Sequence, residues 1–332
     1  MAVIMWSVES FGTAAPPLAD TALTGLAYFL VMWVVELLAK YLFYLCPTGP
    51  ILGNARHRGI LARGVNNISC FLVMGFFGLQ ALGSLGGWPS HSAKVMATDA
   101  GKGGVVWTEV FAGEGLGFLL GGDQASTVYG SAARLYFYSG QSQRLVLLTL
   151  AFQTKNFIDT VLHDDGIVFM LHHVATGALA VFALQPYLHL YAPFFFGISE
   201  ISTLFIAVLV LFDEHHGIKE LGERFPLLMS ATGVIFAVLF VLLRVLVWPA
   251  VGLHFWRDGL AQLYSADTTA GVAPMHSPPV VYLFLLVNIG LTTLQLVWLK
   301  EIIDQAFVLA SGGKIAGASS TSGSNLQKPK EH

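Results

Sequence analysis

The sequence predicts an all-α fold, a polytopic membrane bundle of about seven transmembrane helices, and three observations predict it. Of 332 residues, 55% are hydrophobic and only 11% carry charge, where a soluble domain has roughly a quarter. Mean hydropathy is +0.67. The apolar residues also collect in segments of about 20, the length a helix needs to cross roughly 30 Å of hydrocarbon. A net charge of -3 excludes the basic field that nucleic acid requires and offers no acidic tail to basic partners. Two cysteines, Cys46 and Cys70, build neither a disulfide framework nor a CxxC motif, and read as buried or spectator thiols.

The opening residues, MAVIMWSVESFGTAAPPLAD, carry no basic stretch ahead of an apolar core, so the first span is expected to drive insertion itself. That span covers about 21–45 and contains Glu36 and Lys40, four residues apart and able to neutralise each other on one helix face. The second covers 64–87. A long Gly- and Ser-rich connection follows, about 88–143, with turn chemistry in GGDQAST and SGQSQ; a lumenal insertion with some short helix is expected. The third span, 144–163, is the most polar: Lys155, Asp159 and His163 recur every four residues and share a face. An ionisable stripe inside a membrane should face the bundle interior or water.

Only DDG separates it from the fourth span, 166–185, so the two must run antiparallel and adjacent. This span holds the tandem His172 and His173, with Thr176 on their side. The fifth, 190–212, contributes Ser199, Glu200, Ser202 and Thr203. The sixth, 225–248, contains Arg244 within snorkelling reach of an end, and Pro249 is expected to close it. The seventh, 279–303, adds Asn288, Thr292 and Gln295. Spans three, four, five and seven are thus expected to share a polar seam. For Asn288, Thr292 and Ser202 the better reading is interhelical hydrogen bonding alone. Two imidazoles in tandem, with Asp159 and Glu200 available, point to a functional cavity.

Domain boundaries follow: 1–54 with the first helix, a six-helix membrane domain over 55–305, and a Gly/Ser-rich tail, 306–332, expected to be disordered. Arg56, Arg58, Arg63, Lys219, Arg224, Lys300, Lys314, Lys328 and Lys330 fall on one side of the bundle. The positive-inside rule places that side, and the C-terminus, in the cytosol. The last residues, KPKEH, resemble a dilysine signal for retrieval to the endoplasmic reticulum. Metal chemistry is weakly indicated, because no histidine stands three or four positions before either LHH at 171–173 or EHH at 214–216. His215 and His216 read as loop residues facing solvent. GEGLG is not framed by a strand and a helix, which argues against a nucleotide loop.

Four stretches in order, LTLAFQTKNFIDTVLH, FMLHHVATGALAV, GISEISTLFIAV and LTTLQLVWLKEII, resemble the landmarks of the TLC domain family over about residues 55–305. The resemblance implies a lipid-related role in the endoplasmic reticulum membrane. One branch comprises ceramide synthases, in which an H-D-x-x-D-type motif follows the double histidine. This chain has Ser199-Glu200-Ile201-Ser202-Thr203 there, which is similar to the non-synthase branch linked to membrane-lipid composition. The leading expectation is membrane lipid homeostasis through an intramembrane cavity lined by catalytic or binding groups His172, His173, Asp159 and Glu200. Lys155, His163, Thr176, Ser199 and Thr203 complete its lining. The alternative is an N-acyltransferase using acyl-CoA as cosubstrate and making ceramide or a related amide. A third is a cargo receptor of the early secretory pathway. No cofactor or metal is implied; membrane lipids are the expected partners, and a homodimer is allowed for.

Overall fold

The computed structural model describes residues 10–11, 18–46, 49–84, 135–185, 187–213, 216–264 and 276–310. Most of the 88–143 connection and the 311–332 tail with KPKEH lie outside the described residues. Seven helices carry the fold: α1 (Leu18–Leu45), α2 (Ala55–Ser84), α3 (Gly140–His163), α4 (Ile167–Ala183), α5 (Glu200–Val210), α6 (Pro226–Tyr264) and α7 (Pro278–Ala310). Six spans are long and apolar enough to cross a membrane, the fifth counted from Pro193 to Val210; α4 is a shorter apolar helix. Strand pairing among the described residues is confined to a two-residue antiparallel contact, Ser10–Phe11 with Phe137–Tyr138. The fold is an all-α polytopic bundle.

α3 is the most enclosed of the six long spans, which explains how the most polar segment can still be membrane-embedded. Most of its polar residues are buried against other helices; Thr154 and His163 are exposed. Ser139 caps its start by accepting from the Ser142 amide, and Asp164 ends it in a left-handed conformation (φ 55°). With Gly166 at φ +106°, a value costly for any residue with a Cβ, the chain reverses at once into α4. The expected antiparallel α3–α4 hairpin is therefore present.

Helix contacts close a circuit, α2 to α3, α3 to α4, α4 to α7, α7 to α6, α6 to α5 and α5 back to α2. α1 packs outside it against α2 and α3, its flanks largely exposed as lipid contact demands. Where α2 meets the turn ahead of α5, Gly78 and Gly197 touch backbone to backbone. A Cβ on Gly197 would come within 2.5 Å of Gly78 Cα. Small residues permit such close approach in membranes, where packing drives association.

Two segments are π-helical, Pro193–Ile198 before α5 and Val241–Val247 inside α6. The second corrects an expectation. α6 does not stop at Pro249 but runs on to Tyr264. Proline lacks the N–H of an α-helical bond and its ring crowds the carbonyl four residues back; the wider π turn ending at Val247 relieves that crowding. Beyond it the core is aromatic: Phe195 stacks edge-on against Trp248 at 4.8 Å, and Tyr187 against Phe284 at 4.7 Å. The Tyr191 hydroxyl donates to Asp258 at 2.6 Å.

Candidate functional site

The histidine pair sits on α4 against α3. His173 Nδ1 lies 2.6 Å from Gln153 Oε1; with the amide oxygen accepting, the neutral ring holds its proton on Nδ1 and keeps a lone pair on Nε2. The neighbouring ring of His172 stands 5.4 Å away, edge-on, and its buried Nδ1 has no partner among the described residues. Thr176 is buried beside them, but its hydroxyl returns to the His172 carbonyl at 2.9 Å. That is the ordinary back-bond of a helical threonine.

Neither acid touches an imidazole. Asp159 pairs with Lys155, whose Nζ is 2.5 Å from Oδ2 on the same helix face. The fully buried ammonium also meets Glu36 Oε2 at 2.6 Å and lies 5.0 Å from the centre of the Trp33 ring, both on α1. Glu36 was expected to pair with Lys40; it turns inward instead, and Lys40 is exposed. The reason is energetic. A buried lysine needs counter-charge, whereas an exposed one four residues along the helix contributes only about half a kcal/mol. His163, the last of the i, i+4 stripe, is exposed at the helix end and bonds the Asp159 carbonyl at 2.9 Å.

Glu200 belongs to a second cluster, and here the expected snorkelling of Arg244 is corrected. Arg244 is buried in the π turn of α6 and reaches across to the beginning of α5. Nε donates to Ser202 Oγ at 2.9 Å; Nη2 donates to Ser199 O at 3.1 Å, Glu200 Oε1 at 3.3 Å and Thr203 Oγ1 at 2.5 Å. Each polar residue of Ser-Glu-Ile-Ser-Thr thus touches one guanidinium.

Gln153, Arg244 and Glu36 were not singled out as site residues by the sequence reading. Arg244 carried a usable signal, since it is the only charged residue in an apolar run from Pro226 to Pro249, and an intramembrane arginine is a site hypothesis by default. On α7, Asn288 Oδ1 accepts from the Trp256 indole at 3.1 Å and Thr292 Oγ1 from Trp248 at 3.0 Å. Both are interhelical links. His189, outside the spans, is wholly buried between the Ser139 amide and the Ala183 carbonyl; burial holds its imidazole down at about 4. Among the described residues no three His, Cys, Asp or Glu side chains gather as a metal site would require.

An apolar helical circuit with spans long enough to cross a membrane defines a multi-pass membrane protein. A family model for the TLC domain matches residues 123–304, more than half of the chain, and the chain belongs to the TLC domain family. An uncharacterized TLC domain-containing protein of Schizosaccharomyces pombe is 26% identical over 183 residues, covering 54% of this chain and 57% of that protein. The chain therefore spans little more than half the length of that curated relative. No solved structure matches.

Proposed function

We propose that this TLC domain protein acts in membrane lipid homeostasis, in the endoplasmic reticulum membrane with its C-terminus in the cytosol. It handles a lipid at the histidine pair. One observation carries this reading: His172 keeps a buried nitrogen with no hydrogen-bond partner among the described residues, beside the ring of His173. A buried polar atom without a partner in a spanning segment is costly, and the polar group of a lipid would relieve that cost. Deleting the protein from cells should shift phospholipid or sphingolipid composition. Wild-type chain should restore it and the His172→Ala/His173→Ala chain should not. An unchanged lipidome on deletion refutes the reading.

A second reading, acyl-CoA-dependent N-acyl transfer, draws support from His173, because a ring fixed through Nδ1 presents Nε2 as a base. Against it stands the pairing of Asp159 with Lys155 and of Glu200 with Arg244, which engages both acids with cations instead of with the imidazoles. Incubation of purified protein with radiolabelled acyl-CoA and a long-chain base decides it: a labelled amide lost in His173→Ala favours transfer, and no product across chain lengths removes it.

A further inference from the structure

Arg244 is gripped along one edge. Nε and Nη2 take all four acceptors, and every one of these comes from a single turn of α5, Ser199 to Thr203. The guanidinium is a rigid planar fork, so holding that edge fixes where the other donors point. Nη1, with two N–H groups, meets no acceptor among the described residues. The π turn that delivers Arg244 is itself a departure from regular helix of the kind found at functional sites.

Charge balance decides what could meet Nη1. Glu200 already neutralises the arginine. A phosphate or free carboxylate would set two anions against one cation where the effective dielectric is low. A neutral acceptor avoids that cost. Within a bilayer the abundant neutral acceptor is the carbonyl oxygen of an acyl ester, whose lone pairs lie in the plane a fork can address. Resting on the lipid-handling reading, we infer that Arg244 Nη1 is the donor that recognises the acyl carbonyl of an ester-linked membrane lipid. The Ser199–Thr203 motif serves as the cradle that aims it. The motif's polar residues then act through Arg244 as positioning groups.

The test uses the purified full-length chain with radiolabelled dioleoylglycerol and dioleoylphosphatidylcholine, each displaced by its unlabelled parent or by the di-O-alkyl ether analogue that lacks carbonyls. The acyl form should compete about tenfold better than the ether, the scale of one hydrogen bond to a charged group. The preference should vanish in Arg244→Lys and in Arg244→Met/Glu200→Gln; the double change leaves no unpaired carboxylate behind. Preference in the glycerol lipid alone, or in the phospholipid alone, names the source of the ester, and both support the inference. Equal competition by acyl and ether forms, or a preference that survives both variants, overturns it.

Isotope-edited infrared spectroscopy of wild-type protein with ¹³C-carbonyl lipid gives a measurement independent of any variant's folding. A carbonyl band lowered on binding supports the inference; an unshifted band refutes it. Binding that depends on His172 and His173 without acyl preference sinks the Arg244 assignment and leaves the lipid-handling reading standing. Binding indifferent to the histidines sinks that reading.

Discussion

At the scale of single residues, the molecule spends most of its buried charge on pairing. Lys155 is the extreme case, a fully buried ammonium between Asp159 and Glu36. Lys155→Met should remove about 3–5 kcal/mol of stability by leaving two buried acids without counter-charge. Adding Glu36→Gln and Asp159→Asn should recover most of it, as read by unfolding midpoints in detergent. Glu36→Gln alone should cost much less, because the lysine keeps Asp159. His189 makes stability depend on pH. Its folded value near 4 lies below the ordinary 6.5, so the unfolded chain takes up the proton first. The contribution, roughly 3 kcal/mol in all, is complete above about pH 6.5 and is lost as pH falls to about 4. His189→Gln should flatten the acid limb of a stability–pH curve between those limits; an unchanged limb would show that other groups govern it. The sequence singles out His172, His173, Asp159 and Glu200 by residue type and position within the spans. It does not single out their partners. Periodicity assigns a side chain to a face of its own helix, while pairing depends on which foreign helix that face meets, as Glu36 with Lys155 shows.

At the scale of elements, hydropathy located all seven helices, because the requirement to satisfy every backbone group inside hydrocarbon leaves helix as the outcome. What it missed are departures from regularity. Pro249 reads as a stop signal, and the π turn that lets α6 pass through it has no signature in apolar periodicity. The Gly78–Gly197 contact was equally hidden, since neither glycine is unusual in a span; only the crossing of two segments distant in sequence gives them meaning. Gly197→Leu should lower stability by at least the 1–3 kcal/mol typical of overpacking, since the obstacle is backbone on the facing helix. The change should separate α2 from the turn before α5. Cross-linking between cysteines placed on those two segments should weaken in step with thermal stability. Retention of both would mean that the helices can slide apart without penalty.

At the scale of the whole molecule, α1 packs outside a circuit of six helices. Its attachment to the circuit through Glu36 and Trp33 was not foreseen. The proposed orientation is open to direct measurement. A glycosylation acceptor inserted at residues 268–272 should be modified, and one inserted in the 311–332 tail should not; the reverse pattern would invert the topology. Length adds a constraint of a different sort. α6 has 39 residues, about 58 Å at 1.5 Å per residue, nearly double the hydrocarbon thickness. Such a rod cannot stand upright and stay submerged. Its far half is packed as well: Asp258 is held by the Tyr191 hydroxyl and Phe255 lies edge-on to Phe195. Whatever tilt α6 takes, the aromatic cluster fastened to it must take as well.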